Sequence, residues 1–188
     1  MNKTYSKTRT LVEGALMIAL ATVLSNIKLL DLPQGGSITL EMIPLILMAF
    51  RNGTKWGVFT SFVHSLIQLM LGFSNVLYCK TLAAQIGCVL LDYVVAFTVL
   101  GLAAFFAKPF GENKLLGNSV GAFAVCLCRF VCHFISGMWL WGEWAPEGTP
   151  VWLYSLGYNG SYMLADTIIV VLCVAVLTKA APKLFDRQ

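Results

Sequence analysis

Six apolar runs, separated by turn-forming residues, constrain the fold of this chain more than any other feature of its sequence. A helix needs about 20 residues to cross the hydrocarbon core of a bilayer, so runs of this length predict membrane-spanning helices. Hydrophobic residues make up 58% of the 188 positions. The prediction is an all-α membrane protein with six transmembrane helices, forming a single integral-membrane domain over residues 1–188. The predicted helices cover 10–27, 38–51, 56–72, 81–107, 117–140 and 157–180.

The second run is shorter than the others and contains Glu41 and Pro44. A helix of this length is predicted to be tilted, kinked or only partly embedded in the membrane. Turn-forming residues at 33–36 (Pro-Gln-Gly-Gly) are predicted to end the first hairpin, and Asn52-Gly53 is predicted to form a tight turn before the third helix.

The distribution of basic residues predicts the orientation in the membrane. Lys and Arg are enriched in the cytoplasmic loops of membrane proteins. The regions before the first helix, between helices two and three, between helices four and five, and after the sixth contain most of the basic residues. Both termini are therefore predicted to be cytoplasmic, and the aromatic segment 139–156 to be extracellular. The basic residues in these four regions are Lys3, Lys7, Arg9, Arg51, Lys55, Lys108, Lys114, Lys179, Lys183 and Arg187.

Composition and motifs argue against several classes of function. The net charge of +4 is spread singly or in pairs at helix ends, so no nucleic-acid partner is expected. The six Cys form no C-x-x-C pair, and neither a metal site nor a cofactor is expected. No H-E-x-x-H motif occurs, which argues against an enzyme, although Asp92 and His133, with Glu41 or Asp166, would be the groups for intramembrane acid–base chemistry. A solitary carrier or channel is disfavoured because no internal repeat is evident.

Ionisable residues within membrane helices are candidates for function. Asp92 is flanked by apolar residues and followed by Tyr93, while Arg129 and His133 are four positions apart and share one helical face. Two interpretations remain open for Asp92. It is either the partner of Arg129 in a buried structural ion pair or the counter-charge for a cationic ligand.

The segment 133–159 contains four of the five Trp residues. Aromatic faces beside a carboxylate would form a cage for an organic cation, but Trp and Tyr also collect at membrane interfaces without binding a ligand. Asn159 is interpreted either as a donor and acceptor for a heteroaromatic edge or as the N-cap of the sixth helix. His133 would either contact a ligand or form a structural contact between helices. Glu13 is expected either to extend to the membrane surface or to pair with Arg9, and His64 has no assigned role.

The chain resembles the substrate-binding (S) components of energy-coupling factor (ECF) vitamin transporters, most of all the thiamine-specific ThiT family. The resemblance covers nearly the whole sequence. Its most specific parts are the H-F-I-S-G block at 133–137, Trp141, and the Y-S-L-x-x-N block at 154–159. Further matches are Asp92-Tyr93 and the segment E-G-A-L-M-I-A-L-A at 13–21.

The resemblance implies a six-helix S component in the bacterial plasma membrane, surrounded by membrane lipid, with a high-affinity thiamine pocket near the outer face. The family commonly has Glu where this chain has Asp92, and some members have Trp where this chain has residues 35–37 and His64. Another vitamin or a thiamine precursor is the alternative substrate. The implied thiamine contacts are Asp92, Tyr93, His133, Trp141, Tyr154 and Asn159.

The resemblance also implies partners. S components dock on a coupling transmembrane protein driven by two ATPase subunits, and the family's docking positions correspond here to Ala15 and Ala19. Small side chains permit close helix approach, although packing of these alanines within the bundle is the alternative. The chain has no G-x-x-x-x-G-K-[ST] motif and is not expected to hydrolyse ATP itself. The outer loops 28–37 and 73–80 are expected to close over the ligand.

Overall fold

A computed structural model describes residues 7–32 and 36–186 of the chain. The predicted turn residues Pro33, Gln34 and Gly35, and the basic residues Lys3 and Arg187, lie outside the described residues. Two short strands, β1 (Leu30–Asp31) and β2 (Ser37–Ile38), pair antiparallel. The helices are α1 (Lys7–Ser25), α2 (Met42–Asn52), α3 (Thr54–Leu71), α4 (Phe73–Val76), α5 (Leu82–Phe110), α6 (Lys114–Trp139) and α7 (Val151–Ala180).

Each of the six predicted runs corresponds to a helix, with boundaries that differ by a few residues. Within the described part of the chain, α1, α5, α6 and α7 are long and apolar enough to cross a membrane, whereas α2 has only 11 residues. The prediction for the sixth helix was wrong at its start. This helix begins at Val151 rather than at residue 157, with Pro150 as its N-cap. Much of the predicted aromatic loop is therefore helical, and the connection between α6 and α7 covers only residues 140–150.

The short helix α2 lies at the centre of the protein. Nearly every one of its residues is buried, and Met42, Leu45, Ile46 and Met48 are completely inaccessible to solvent. A helix that is hydrophobic on all sides is stable when it is enclosed by other elements, and α2 packs against α1, α3, α5 and α7. α2 therefore contributes most of its side chains to the protein core rather than to the outer surface.

Glycine permits an unusually close contact between α3 and α5. A Cβ atom on Gly101 would overlap the backbone of Gly57 and Val58. Small residues allow helices in membranes to approach until their backbones touch. The contact brings the following part of α3, which contains His64 and Gln68, alongside α5.

Polar contacts connect several chain segments at one end of the bundle. Glu13 pairs with Arg9 at 3.4 Å, one of its two expected arrangements, and also with Arg51 at 3.2 Å. Arg51 donates to the carbonyl oxygens of Lys183 and Asp186, each at 3.0 Å. These contacts place the start of α1, the end of α2 and the end of the described chain together.

Candidate functional site

A cavity of about 480 Å³ lies near the other end of the bundle, lined by residues of α3, α5, α6 and α7 and by the loops between helices. It has the size of a small-molecule site. All six residues predicted to bind a ligand line it: Asp92, Tyr93, His133, Trp141, Tyr154 and Asn159. Their gathering in one cavity is a structural observation, and their role in binding stays a prediction.

Asp92 lies in a π-helical segment, Val89–Val95, within α5. Such segments are rare and frequently mark functional sites. The Asp92 carboxylate accepts hydrogen bonds from Ser136 Oγ at 2.5 Å and from Trp141 Nε1 at 3.1 Å, and His133 Nδ1 lies 2.9 Å from its Oδ1. Donors from α6 and from the residues that follow it therefore hold the carboxylate at the cavity wall.

Arg129 does not pair with Asp92, so the interpretation of these two residues as a structural ion pair is wrong. The guanidinium of Arg129 donates from Nη2 to Glu41 Oε1 at 3.2 Å, and from Nε to His133 Nε2 at 3.3 Å. Its Cζ atom lies 4.1 Å from the centroid of the Phe97 ring. Arg129 therefore reaches Asp92 only through the His133 ring.

Glu41 also lines the cavity, a role that the sequence left unassigned. It accepts from Gln68 Nε2 at 2.7 Å, and His64 Nε2 lies 3.8 Å from its carboxylate. The only sequence signal was a carboxylate at the start of a short apolar run. Its pairing with Arg129 joins residues 88 positions apart, a separation that no local pattern reveals.

Tyrosines form one aromatic wall of the cavity. The rings of Tyr154, Tyr158 and Tyr162 follow one another along α7 with centroid separations of 6.0 Å, and the His133 ring lies 6.3 Å from that of Tyr162. Residues four apart lie on the same face of a helix. The spacing of four from Tyr154 is thus the sequence signal that could have added Tyr158 and Tyr162 to the predicted site.

Asn159 lies well inside α7, so its interpretation as an N-cap is wrong. Its Nδ2 donates to the carbonyl oxygen of His133 at 3.2 Å and to that of Ser155 at 3.1 Å. Its Oδ1 accepts from the Tyr162 hydroxyl at 3.0 Å. Asn159 therefore connects α6 to the tyrosine wall at the cavity surface.

Some tryptophans of the aromatic segment 133–159 lie where a ligand-binding residue would, and others lie where residues of an interfacial belt would. Trp141 lines the cavity and binds Asp92, as a site residue would. Trp139 and Trp152 are 75% and 54% exposed on the outside of the bundle, as expected for an interfacial belt.

Both loops that were expected to close over a ligand contribute to the cavity lining. In the first, the Gly36 amide donates to the Tyr158 hydroxyl at 3.1 Å. In the second, the Tyr78 ring packs edge-on against Trp144, and Lys80 pairs with Glu143 at 2.6 Å. The loops are thus attached to α7 and to the connection between α6 and α7.

Gly137 sits where α6 approaches α7 beneath the cavity. A Cβ atom at this position would overlap the Ser155 hydroxyl and lie 2.8 Å from Asn159 Nδ2. We expect Gly137→Ala to lower the midpoint of thermal unfolding in detergent, because overpacking of this kind costs roughly 1–3 kcal/mol. Gly157→Ala is the matched control, since its Cβ would meet nothing within 4 Å. Equal midpoints for the two variants would contradict the close α6–α7 contact.

Ala15 and Ala19 lie on the exposed face of α1. The alternative that they pack inside the bundle is therefore wrong. Their neighbour Leu16 is 64% exposed, so the surface around them is apolar. Such a surface faces either lipid or another helix.

Comparison with known proteins agrees with these observations. Residues 11–186 match the family described as Thiamine transporter protein (Thia_YuaJ). The thiamine transporter ThiT of Bacillus subtilis is 37% identical over 95% of this chain and 94% of its own length. ThiT of Lacticaseibacillus paracasei is 31% identical over 93% of this chain and 89% of its own length. The solved structure of ThiT from Listeria monocytogenes superposes with a TM-score of 0.76 at 26% identity, covering 96% of this chain and 98% of that one.

These matches extend over nearly the whole chain, including α5, α6, α7 and the cavity between them. The relatives are transport proteins rather than enzymes, so the intramembrane-enzyme alternative is not supported. Together with the apolar helices, they indicate a multi-pass bacterial membrane protein. The chain therefore belongs to the thiamine transporter protein family.

Proposed function

We propose that the protein is the thiamine-binding S component of an ECF-type transporter. In this role it captures thiamine outside the cell and delivers it through an ATP-driven partner module. The observation that carries the proposal is the Asp92 carboxylate, held by three neighbouring side chains at the wall of an aromatic-lined cavity. Thiamine combines a permanently cationic thiazolium ring with an aminopyrimidine, so it calls for a carboxylate, ring faces and a few polar groups.

The charges around the cavity suit a cation. Arg129 is paired with Glu41, and Lys28 with Asp31 at 3.0 Å, so among the described residues no Lys or Arg side chain is seen in direct contact with the Asp92 carboxylate. At about 5 Å and an effective dielectric constant of about 20, a carboxylate attracts a monovalent cation by about 3 kcal/mol. That interaction corresponds to on the order of a hundredfold in affinity.

The other five predicted contacts supply ring faces and hydrogen bonds. In the proposal, Trp141, His133 and Tyr154 stack on or flank the ligand rings, because aromatic faces attract organic cations. Asn159 and Tyr93 contribute polar atoms. The Tyr93 hydroxyl donates to the Gly72 carbonyl oxygen at 2.8 Å, which leaves its oxygen able to accept a hydrogen bond from the ligand.

We propose that the chain is one domain that crosses the membrane six times with both termini in the cytoplasm. The basic residues Arg51, Lys114 and Lys183 lie at the bundle end that contains Glu13 and Asp186, as their contacts show. The excess of basic residues on cytoplasmic sides supports assigning this end to the cytoplasm. The cavity near the other end then faces outward, where an S component captures its substrate.

The proposed partner is a coupling transmembrane protein with two ATPase subunits. The exposed face of α1 around Ala15 and Ala19 supports this proposal, because small side chains let a partner helix approach closely. In the proposed cycle, loops 28–37 and 73–80 close over thiamine, and ATP hydrolysis in the partner module drives its release inside the cell.

Titration of the purified chain with thiamine tests the binding proposal. We expect saturable quenching of tryptophan fluorescence at nanomolar to low micromolar thiamine, because Trp141 contacts Asp92 at the cavity wall. Riboflavin, biotin and pyridoxine serve as controls. Quenching by one of these vitamins but not by thiamine would show that the protein binds a different vitamin from the one proposed. No quenching by any of them would contradict the proposed binding function.

A Trp141→Phe variant tests whether Trp141 is the tryptophan whose fluorescence thiamine quenches. This variant keeps an aromatic ring at the cavity but removes the N–H group that donates to Asp92. Most of the quenching should disappear, while calorimetry still detects thiamine binding at reduced affinity. Trp56→Phe is the matched control, because Trp56 packs against Phe59 at the other end of α3, outside the cavity lining.

A further inference from the structure

We propose that Arg129 is a positioning residue that sets the tautomer of His133 and, through it, the orientation of the Asp92 carboxylate. The inference rests on the proposed function, because it explains how the carboxylate is kept ready for a cationic ligand. Arg129 itself is 7% exposed, and its contacts run through the His133 ring rather than directly to Asp92.

The hydrogen bonds at the two ring nitrogens of His133 lead to the same tautomer. Arg129 Nε can only donate a hydrogen bond, so His133 Nε2, 3.3 Å away, must be the acceptor. The proton of the neutral ring then lies on Nδ1, which donates to Asp92 Oδ1 at 2.9 Å.

The opposite tautomer would be unfavourable at both nitrogens. A proton on Nε2 would point at the Arg129 Nε–H group, and the Nδ1 lone pair would face the Asp92 carboxylate. To escape this repulsion, the Asp92 carboxylate would have to turn away from His133, and that movement would weaken its attraction for a cation in the cavity. In this way Arg129 keeps the Asp92 carboxylate in its observed orientation at the cavity wall.

Other contacts hold Arg129 and His133 in place for this role. Arg129 is fixed by Glu41 at 3.2 Å and by the Phe97 ring. The backbone carbonyl of His133 accepts from Asn159, and the His133 ring lies beside that of Tyr162. The Glu41–Arg129 pair is neutral as a unit, so removing both charges leaves the net charge around the cavity unchanged.

Nuclear magnetic resonance of ¹⁵N-histidine-labelled protein in detergent micelles tests the tautomer directly. The chain has two histidines, and a His64→Gln variant assigns the signals of His133. In the ligand-free protein we expect the proton of His133 on Nδ1. A proton on Nε2 would overturn the proposal even if thiamine binds to the protein. Because the measurement needs no ligand, it also tests the tautomer of His133 if the protein does not bind thiamine.

A pair of variants tests the role of Arg129. Glu41→Gln retains the Arg129 contact to His133 and should keep the proton on Nδ1. The double variant Glu41→Gln with Arg129→Met removes that contact without leaving a buried unpaired charge. Only the Asp92 contact then favours a proton on Nδ1. We therefore expect the share of the Nε2 tautomer to rise above that of wild type, and the Kd for thiamine, measured by calorimetry, to rise at least tenfold. An unchanged tautomer, or a Kd within twofold of wild type, would overturn the positioning role.

Discussion

Replacing Asp92 with asparagine is expected to weaken thiamine binding by on the order of a hundredfold. Asparagine has nearly the same shape and keeps an oxygen that can accept from Ser136 or Trp141, but it carries no charge. The variant therefore loses the attraction between a carboxylate and the thiazolium cation while retaining the aromatic walls. Isothermal titration calorimetry of the chain in lipid nanodiscs measures the change.

Asp186→Asn is the matched control for this substitution. Asp186 pairs with Lys114 at 2.7 Å, far from the cavity, so the same chemical change should leave the affinity within twofold. Thermal unfolding of both variants separates binding from folding, because Asp92→Asn should alter the affinity far more than the unfolding midpoint. If the thiamine affinity of Asp92→Asn is within twofold of wild type, Asp92 is not the counter-charge for the ligand.

Replacing both Ala15 and Ala19 with tryptophan is expected to abolish ATP-driven thiamine uptake while leaving thiamine binding intact. Both residues lie on the exposed face of α1, whereas the cavity is lined mainly by α3, α5, α6, α7 and the loops. Large side chains at these positions would keep a partner helix from approaching the α1 backbone. Uptake of labelled thiamine in cells that produce the coupling protein and both ATPase subunits measures transport, and calorimetry on the purified variant measures binding.

Leu172→Trp is the control for this experiment. Leu172 is 60% exposed on α7, so the substitution places the same large residue on another outer surface of the protein. It should leave both uptake and binding close to wild type. Normal uptake by the Ala15 and Ala19 variant would show that the partner docks elsewhere, and loss of thiamine binding in it would show that the variant acts on the cavity.

Much of the fold could be predicted because hydropathy is a local property of the chain. All six apolar runs correspond to helices, and Asn52-Gly53 lies at the tight turn between α2 and α3. Helix boundaries were less accurate. The sixth predicted helix begins six residues too late, and within the observed α7 the Ser155 hydroxyl donates to the carbonyl oxygen of Phe134 in α6 at 2.8 Å.

The candidate site was recognisable from motif blocks, and its six residues do meet in one cavity. Their mutual contacts were not predictable. The sequence left open whether Arg129 pairs with Asp92, and the structure pairs it with Glu41 instead. That choice depends on how the start of α2 approaches α6, which no spacing along the chain encodes.

The sequence by itself determined that the chain forms apolar helices in a membrane, which end of the bundle carries the basic residues, and which residue types are available for a cationic ligand. These properties follow from composition and periodicity, which act over one or two helical turns. Only the tertiary structure decided that α2 is enclosed by protein, that a π-helical segment contains Asp92, and that Glu41, Arg129, His133 and Asp92 are linked in order. The contact of His133 with Asp92 spans 41 positions of the chain, and that of Arg129 with Glu41 spans 88. Over such separations, packing and the pairing of buried polar groups select the partner.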